Sequence, residues 1–308
     1  MAYDASSPKI LDGKKLARAV ATTISARVAD LKSQIKRAPG LAVILVGENQ
    51  ASKTYVTSKH KLARECGLES FDAHLSATTT AAQLREVIQS YNDNDLVDAI
   101  LLQLPLPAPL DGAEFIRLIA PEKDIDGLHP INQGLLLQGL QAPRPCTPLG
   151  VMTMLDLALS DITLSDNTVL QDLPKASLAG KSAVVIGRSQ LVGKPMGFLL
   201  LERNATVTFA HSKTDDLAAV CRAADILVAA VGVPLLVKRD WIKPGAIVLD
   251  VGINRLPNGK LCGDVAYEEV APLCAAITPV PGGVGPMTVA MLISNTVENC
   301  ARRNGLIL

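Results

Sequence analysis

Apolar residues at Leu16, Val20, Ile24, Val28, Leu31 and Ile35 recur every three or four positions, the step that gathers side chains on one face of a helix. Pro39 and Gly40 are predicted to end that helix. The pattern then changes to an unbroken apolar run over 41–46, read as a buried strand. After Gly47-Glu48-Asn49, a helical stretch is predicted over 52–66, a strand over 70–75, a helix over 81–91 and an apolar strand over 99–102. Alternation of this kind marks a parallel, doubly wound sheet. Two irregular passages follow, 105–109 and 121–130, both rich in proline or turn residues. Such segments at strand ends commonly carry function.

One more helix is predicted over 147–159. The polar run 160–175 has no clear period and reads as a linker or surface insertion. Alternation resumes at 182: a strand to Ile186, a helix to Arg203, a strand over 206–210, a helix to Ala224 and strands over 226–230 and 246–250. A strand over 276–278 leads into Pro279-Val280-Pro281-Gly282-Gly283-Val284-Gly285-Pro286, and a helix over 288–303 closes the pattern. The fold class is therefore α/β, with two α/β domains and no internal repeat covering a whole domain.

Composition narrows the function classes. The length of 308 residues is enough for two domains with cores of their own. Lys plus Arg equals Asp plus Glu, 30 against 30, which removes the electrostatic case for nucleic acid or a membrane surface as partner. Cys66, Cys146, Cys221, Cys262, Cys274 and Cys300 form no C-x-x-C pair, so neither a metal site nor a disulfide framework is expected. No apolar run has the length of a membrane span, and residues 1–8 lack the build of a signal peptide. A cytoplasmic, reduced setting is the expectation.

The strand ending at Ile186 runs into Gly187-Arg188-Ser189-Gln190-Leu191-Val192-Gly193-Lys194-Pro195. A strand that hands over to a helix start at glycine aims unpaired N–H groups and the positive end of the helix dipole at an anion. A P-loop needs four residues between its glycines and a hydroxyl residue after its lysine. Five intervene here and Pro195 follows Lys194, so a dinucleotide is the better fit than phosphoryl transfer. The usual G-x-G-x-x-G is absent, and an ordinary strand-to-helix turn is the alternative.

Ser52, Tyr55 and Lys59 lie at three- and four-residue steps and share one helix face; a solvated face is the plain alternative. Short-chain dehydrogenases also space Tyr and Lys this way, but their pair follows the cofactor loop, whereas this one precedes it. Gln103 stands at the C-terminal edge of a strand, where open α/β sheets bind ligands, unless it only orients the prolines after it. Asp124 and Asp126 stand two apart, with too few oxygen ligands nearby for a metal; a turn-forming aspartate is the other reading. In the run 279–286, glycine permits close backbone approach and proline keeps the loop stiff.

Tyr55-x-x-x-Lys59, Gln103-Leu104-Pro105-Leu106-Pro107, Asp124-Ile125-Asp126-Gly127, Gly187-Arg188-Ser189-x-x-Val192-Gly193-x-Pro195 and Pro281-Gly282-Gly283-Val284-Gly285-Pro286-Met287-Thr288 occur together and in this order. The set resembles the bifunctional methylenetetrahydrofolate dehydrogenase/cyclohydrolases over nearly the whole chain. The resemblance implies oxidation of 5,10-methylenetetrahydrofolate with NADP+ and hydrolysis of the product to 10-formyltetrahydrofolate, in one cleft between two domains. It implies a folate-binding catalytic domain over 1–157, completed by a helix over 286–308, and a Rossmann-like NADP domain over 158–285.

Residue by residue, Lys59 is similar to the family's catalytic lysine and Gln103 to the group that positions it. Tyr55 resembles the ring that stacks on folate, and Asp126 the carboxylate that binds the pterin. Ser52 with Pro281, Gly282, Gly283 and Val284 would complete the folate wall. Gly187, Arg188, Ser189, Val192 and Gly193 resemble the cofactor loop, His211 and Ser212 flank the adenine ribose, and Val251, Gly252 and Ile253 face the nicotinamide. No acid stands at Ala210, His211 or Ser212, which favours NADP over NAD. The family resemblance also implies a homodimer, and a stand-alone form without the synthetase domain fused to some relatives.

Overall fold

A computed structural model describes residues 7–165, 168, 170 and 173–306. The chain opens with β1 (Lys9–Ile10), α1 (Gly13–Ile35), β2 (Gly40–Val46), α2 (Gln50–Glu65), β3 (Glu69–Leu75), α3 (Ala81–Asn92) and β4 (Ala99–Leu102). Short helices α4 (Gly112–Ile116) and α5 (Pro130–Leu137) and the longer α6 (Cys146–Ala158) follow. Next come β5 (Ser182–Ile186), α7 (Gly193–Glu202), β6 (Thr206–Ala210), α8 (Leu217–Arg222), β7 (Ile226–Ala229) and β8 (Ile247–Asp250). A small hairpin of β9 (Asn254–Arg255) and β10 (Leu261–Cys262), then α9 (Tyr267–Val270), β11 (Ala276–Ile277) and α10 (Val284–Arg303) complete it. Each regular element expected from the hydrophobic pattern is present within a few residues. The short pieces β1, α4, α5, β9, β10 and α9 carry too few apolar positions to show a period.

The described residues form two compact units. One holds residues 20–146 and 289–306, the other those up to 19 and 147–288. The split differs from the boundaries implied by family resemblance. β1 pairs in parallel with β11, Lys9 Nζ donates to the carbonyls of Leu157 (2.6 Å) and Ser160 (2.8 Å), and Gly13 N–H donates to Gly282 O at 2.9 Å. These bonds fasten the start of the chain to the later sheet.

In the unit of 20–146 and 289–306, the sheet order is β3-β2-β4, all parallel. Every residue of β2 is buried, as a central strand covered on both faces requires. Its core gathers Ile44, Leu84, Ile88, Ile100 and Phe115 among others. Asn49 caps α2, its side chain accepting from Ser52 N–H, and α3 begins with a full capping box of Thr80 and Gln83. In the other unit six parallel strands run β6-β5-β7-β8-β11-β1. The order turns back between β5 and β7, the topological switch point at which such sheets bind ligands.

The polar stretch 160–175 contains no regular element among its described residues; positions 166, 167, 169, 171 and 172 lie outside them. Its far end is tied down, because Asp156 accepts from Ala176 N–H (2.9 Å) and pairs with Arg203 at 2.7 Å. No helix among the described residues is long and apolar enough to cross a membrane. All six cysteines are free and buried.

Candidate active site

α2 starts where β2 ends, so its first two turns stand over the C-terminal edge of the three-stranded sheet. Ser52 and Lys59 are buried on it, at 4% and 6% exposure, while Tyr55 between them is 36% exposed. Lys59 Nζ donates to Gln103 Oε1 at 3.0 Å. Gln103 is fixed in turn: its N–H donates to Ile44 O at 2.9 Å, extending the β4–β2 ladder, and its Nε2 donates to Leu104 O at 2.6 Å. With its amide nitrogen engaged, the oxygen is the atom left to face the lysine. A solvated face is thereby ruled out for Lys59, since a lysine is almost never buried unless it has a partner.

The two aspartates two apart do different things. Asp124 is buried and takes hydrogen bonds from His129 N–H (2.7 Å) and Asn132 Nδ2 (2.9 Å); it forms the turn, and burial raises its carboxyl above the ordinary range. Asp126 is half-buried. Burial pushes the neighbouring Cys146 thiol well up, the Asp126 carboxylate adds to that, and Lys59 pulls the other way. The three groups therefore share one electrostatic neighbourhood. Asn295 of α10 holds the backbone here, donating to Ile125 O (3.1 Å) and Arg144 O (2.9 Å).

The glycine loop lies at the switch point after β5. Gly187 has φ 136°, and a Cβ there would collide with the Ala230 carbonyl oxygen of the neighbouring strand end. A Cβ on Gly193 would stand 2.5 Å from Gly187 C, and one on Gly197 would strike the Phe209 ring. Three glycines thus do what G-x-G-x-x-G does elsewhere: turn tightly, expose backbone and let the helix close on the strand. Ser189 Oγ accepts from Val192 N–H (3.1 Å) and Gly193 N–H (3.3 Å), so it caps the turn into α7. Arg188 and Ser189 are exposed. The residues present fit a dinucleotide phosphate, because the cradle is lined by backbone that a side chain would fill.

His211 and Ser212 lie just past β6, whose end pairs with β5 next to Gly187. His211 N–H donates to Thr214 Oγ1 at 2.9 Å and its Nδ1 accepts from Lys213 N–H at 3.2 Å, which fixes a tight turn. Val251, Gly252 and Ile253 follow β8, with Ile253 half exposed. Pro281 and Gly282 reach the surface of the same unit, while Gly283 and Val284 are buried. α10 begins at Val284, a turn earlier than predicted, because Pro286 falls in its first turn where no N–H is needed.

Sequence reasoning missed several positioning groups. Lys123 is 2% exposed and donates to the carbonyls of Tyr91, Asn92 and Asn94 at 2.7–2.9 Å, closing the C-terminus of α3 with a cation. Asp250 and Asp264 are buried at the C-terminal edge of the six-stranded sheet. Nothing local marks either one; only the glycines facing them, Gly263 and Gly252, give a signal.

Residues 11–126 match the family model for the tetrahydrofolate dehydrogenase/cyclohydrolase catalytic domain, and residues 145–304 match that for its NAD(P)-binding domain. Bifunctional protein FolD 2 of Paracoccus denitrificans is 49% identical over 300 residues, covering 96% of this chain and 94% of that protein. The crystal structure of the bifunctional FolD methylenetetrahydrofolate dehydrogenase/cyclohydrolase of Campylobacter jejuni superposes with a TM-score of 0.88 at 44% identity, over 96% of this chain and 100% of that one. The Trypanosoma brucei methylenetetrahydrofolate dehydrogenase-cyclohydrolase, solved with NADP and an inhibitor, gives 0.87 at 37% identity, over 97% and 99%. With both halves matched in order and nearly the whole length aligned, the chain belongs to the tetrahydrofolate dehydrogenase/cyclohydrolase family.

Proposed function

We propose that this protein oxidises 5,10-methylenetetrahydrofolate to the 5,10-methenyl form with NADP+ and hydrolyses that product to 10-formyltetrahydrofolate. The observation that carries the reading is the buried Lys59 held at 3.0 Å by Gln103, at the sheet edge where Tyr55 and Asp126 also stand. Bound NADP+ would supply the hydride acceptor. The exposed backbone of Gly187 to Gly193, with Arg188, His211 and Ser212 beside it, would hold the nucleotide, and Val251, Gly252 and Ile253 would form the wall against its nicotinamide. NADP is favoured over NAD by the lack of an acid at Ala210, His211 and Ser212 and by the family match, whose solved Trypanosoma brucei member carries NADP.

Hydrolysis uses this chain's side chains more directly. Water adds its oxygen to the methenyl carbon and loses one proton; the hydroxyl so formed gives up its second proton to become the formyl oxygen as the carbon–N5 bond breaks and N5 gains a proton, so one proton is released overall. Lys59 would be the group that takes a proton from the water and delivers one to N5. The Gln103 oxygen holds the Lys59 nitrogen in register. Asp126 would offer two oxygens to the adjacent amino and ring N–H donors of the pterin, Tyr55 a face to its aromatic tail, and Ser52 a further part of the wall. The retained Lys59–Gln103 bond argues against a dehydrogenase without the second activity. The six free, buried thiols support a reducing, cytoplasmic setting, and we take the working form to be a homodimer as in the family.

The test is spectrophotometric: methenyl formation from methylenetetrahydrofolate with NADP+ or NAD+, then methenyl decay without nucleotide. Lys59→Met should remove at least about 99% of the decay rate, since general acid–base groups contribute a factor of about 10² to 10⁴, with the circular dichroism spectrum unchanged. Decay at the wild-type rate in the folded variant would reject the assignment.

A further inference from the structure

Two carboxylates are buried side by side at the C-terminal edge of the six-stranded sheet, Asp250 at 3% exposure and Asp264 at 0%. Neither has a cationic partner among the described residues. Each is instead ringed by N–H donors. Asp250 accepts from Gly252 N–H (3.0 Å), Asp264 N–H (3.0 Å) and Val265 N–H (2.9 Å). Asp264 accepts from Val231 N–H (2.7 Å), Gly232 N–H (3.0 Å) and Asn254 Nδ2 (2.9 Å). Six donors are thus drawn from three separate stretches of chain: the turn after β7, the turn after β8, and residues 264–265 beyond β10.

Space has been made for this arrangement. A Cβ on Gly252 would collide with the Asp264 carboxylate, and one on Gly263 with that of Asp250. Burying a carboxylate without a counter-ion costs several kcal/mol even when its oxygens are hydrogen-bonded. An apolar filling would stabilise the fold more, so the arrangement points to a geometric role. The strands it joins, β7 and β8, are hydrogen-bonded neighbours, and their ends lie beside the switch point that holds the glycine loop.

We propose that Asp264, seated on the Asp250 carboxylate through its own N–H, is a positioning residue for the nicotinamide half of the cofactor. It clamps residues 231–232 to Asn254, while Asp250 holds Gly252, so that the two turns form one wall. This rests on the reading of Val251, Gly252 and Ile253 as the surface facing that ring. The adenine half, by contrast, belongs to Gly187–Gly193 and His211, which none of the six bonds touches. Loosening the clamp should let the ring wander while the nucleotide still binds, and hydride transfer depends steeply on such placement.

The test compares wild type with Asp264→Asn, whose amide nitrogen must face a donor on one side or the other. Three measurements are made: emission of bound NADPH, which reports the surroundings of its reduced nicotinamide; binding of adenosine 2′,5′-bisphosphate, which lacks the nicotinamide; and kcat for NADP+-dependent oxidation. The expected result is bound-NADPH emission shifted toward that of free NADPH and kcat down at least tenfold, with bisphosphate affinity within twofold of wild type. Emission and kcat at wild-type values overturn the proposal. So does a parallel loss of bisphosphate binding, which marks general damage to the unit. Should Asp264→Asn fail to fold, Asn254→Ala removes one bond from the rim: the same pattern in weaker form supports the clamp, and no change in emission or kcat overturns it. A wild-type protein that does not oxidise methylenetetrahydrofolate at all defeats the underlying function, a distinct outcome.

Discussion

Asp250 carries its burial in its acidity. Desolvation, only partly offset by three N–H donors, lifts its carboxyl from an ordinary 3.8 to about 7. The fold therefore prefers the protonated group. Its contribution to stability is complete below about pH 4 and is lost as pH climbs through 7, a swing of at most about 4 kcal/mol at about 1.4 kcal/mol per pH unit. Asp250→Asn does not titrate and serves as the reference. Urea midpoints taken between pH 5 and 8 should show wild type losing ground to the variant as pH rises. A difference that stays constant with pH would mean that Asp250 keeps ordinary acidity. At this scale the candidate site was legible: Lys59 and Gln103 were each marked by position, one on a helix face and one at a strand end. Asp250 and Asp264 were not, because a strand-end aspartate and a loop aspartate look alike whether they face water or the interior.

Glycines show how elements divide between those that must be bare and those that merely are. Gly187 sits at φ 136° against the Ala230 carbonyl, so Gly187→Ala strains both backbone and contact. A loss of about 1–3 kcal/mol is expected in denaturant unfolding, with weaker NADP+ binding. Gly134 lies inside α5 with nothing within 4 Å of its would-be Cβ. There alanine should stabilise by about 0.5–1 kcal/mol; a gain in stability at both sites alike would show that the loop geometry is not what holds Gly187. The long elements were legible because β2, α1 and α10 repeat their pattern over many residues. α5 and the β9–β10 hairpin were not: they are short and held by individual polar contacts, such as the His129 Nδ1 cap on Ile131 N–H, which leave no periodic trace.

At the scale of the molecule, residues far apart in sequence converge on single charges. The fully buried Asp98 takes both guanidinium nitrogens of Arg37 (2.6 and 2.8 Å), Arg303 at 3.1 Å and Gly40 N–H at 2.8 Å. It thereby ties the starts of β2 and β4 to the end of α10, and lies at the sheet edge opposite Lys59. Asp98→Ala leaves two cations short of a partner, and about 3–5 kcal/mol should be lost, read as a lower urea midpoint; a loss below about 1 kcal/mol would make the cluster no more than a surface pair. Closure of this kind explains why domain limits were the least legible feature. Both terminal stretches return to elements laid down elsewhere in the chain, and hydrophobic periodicity says nothing about such returns.

The thiols have a bearing on chemical durability. All six are enclosed, and burial raises every one of them, Cys221, Cys274 and Cys300 to about 12. Peroxide and electrophilic drugs attack the thiolate, a form this chain scarcely offers while folded. Oxidative stress would reach the enzyme through its reduced folate and its nucleotide supply before it reached the polypeptide.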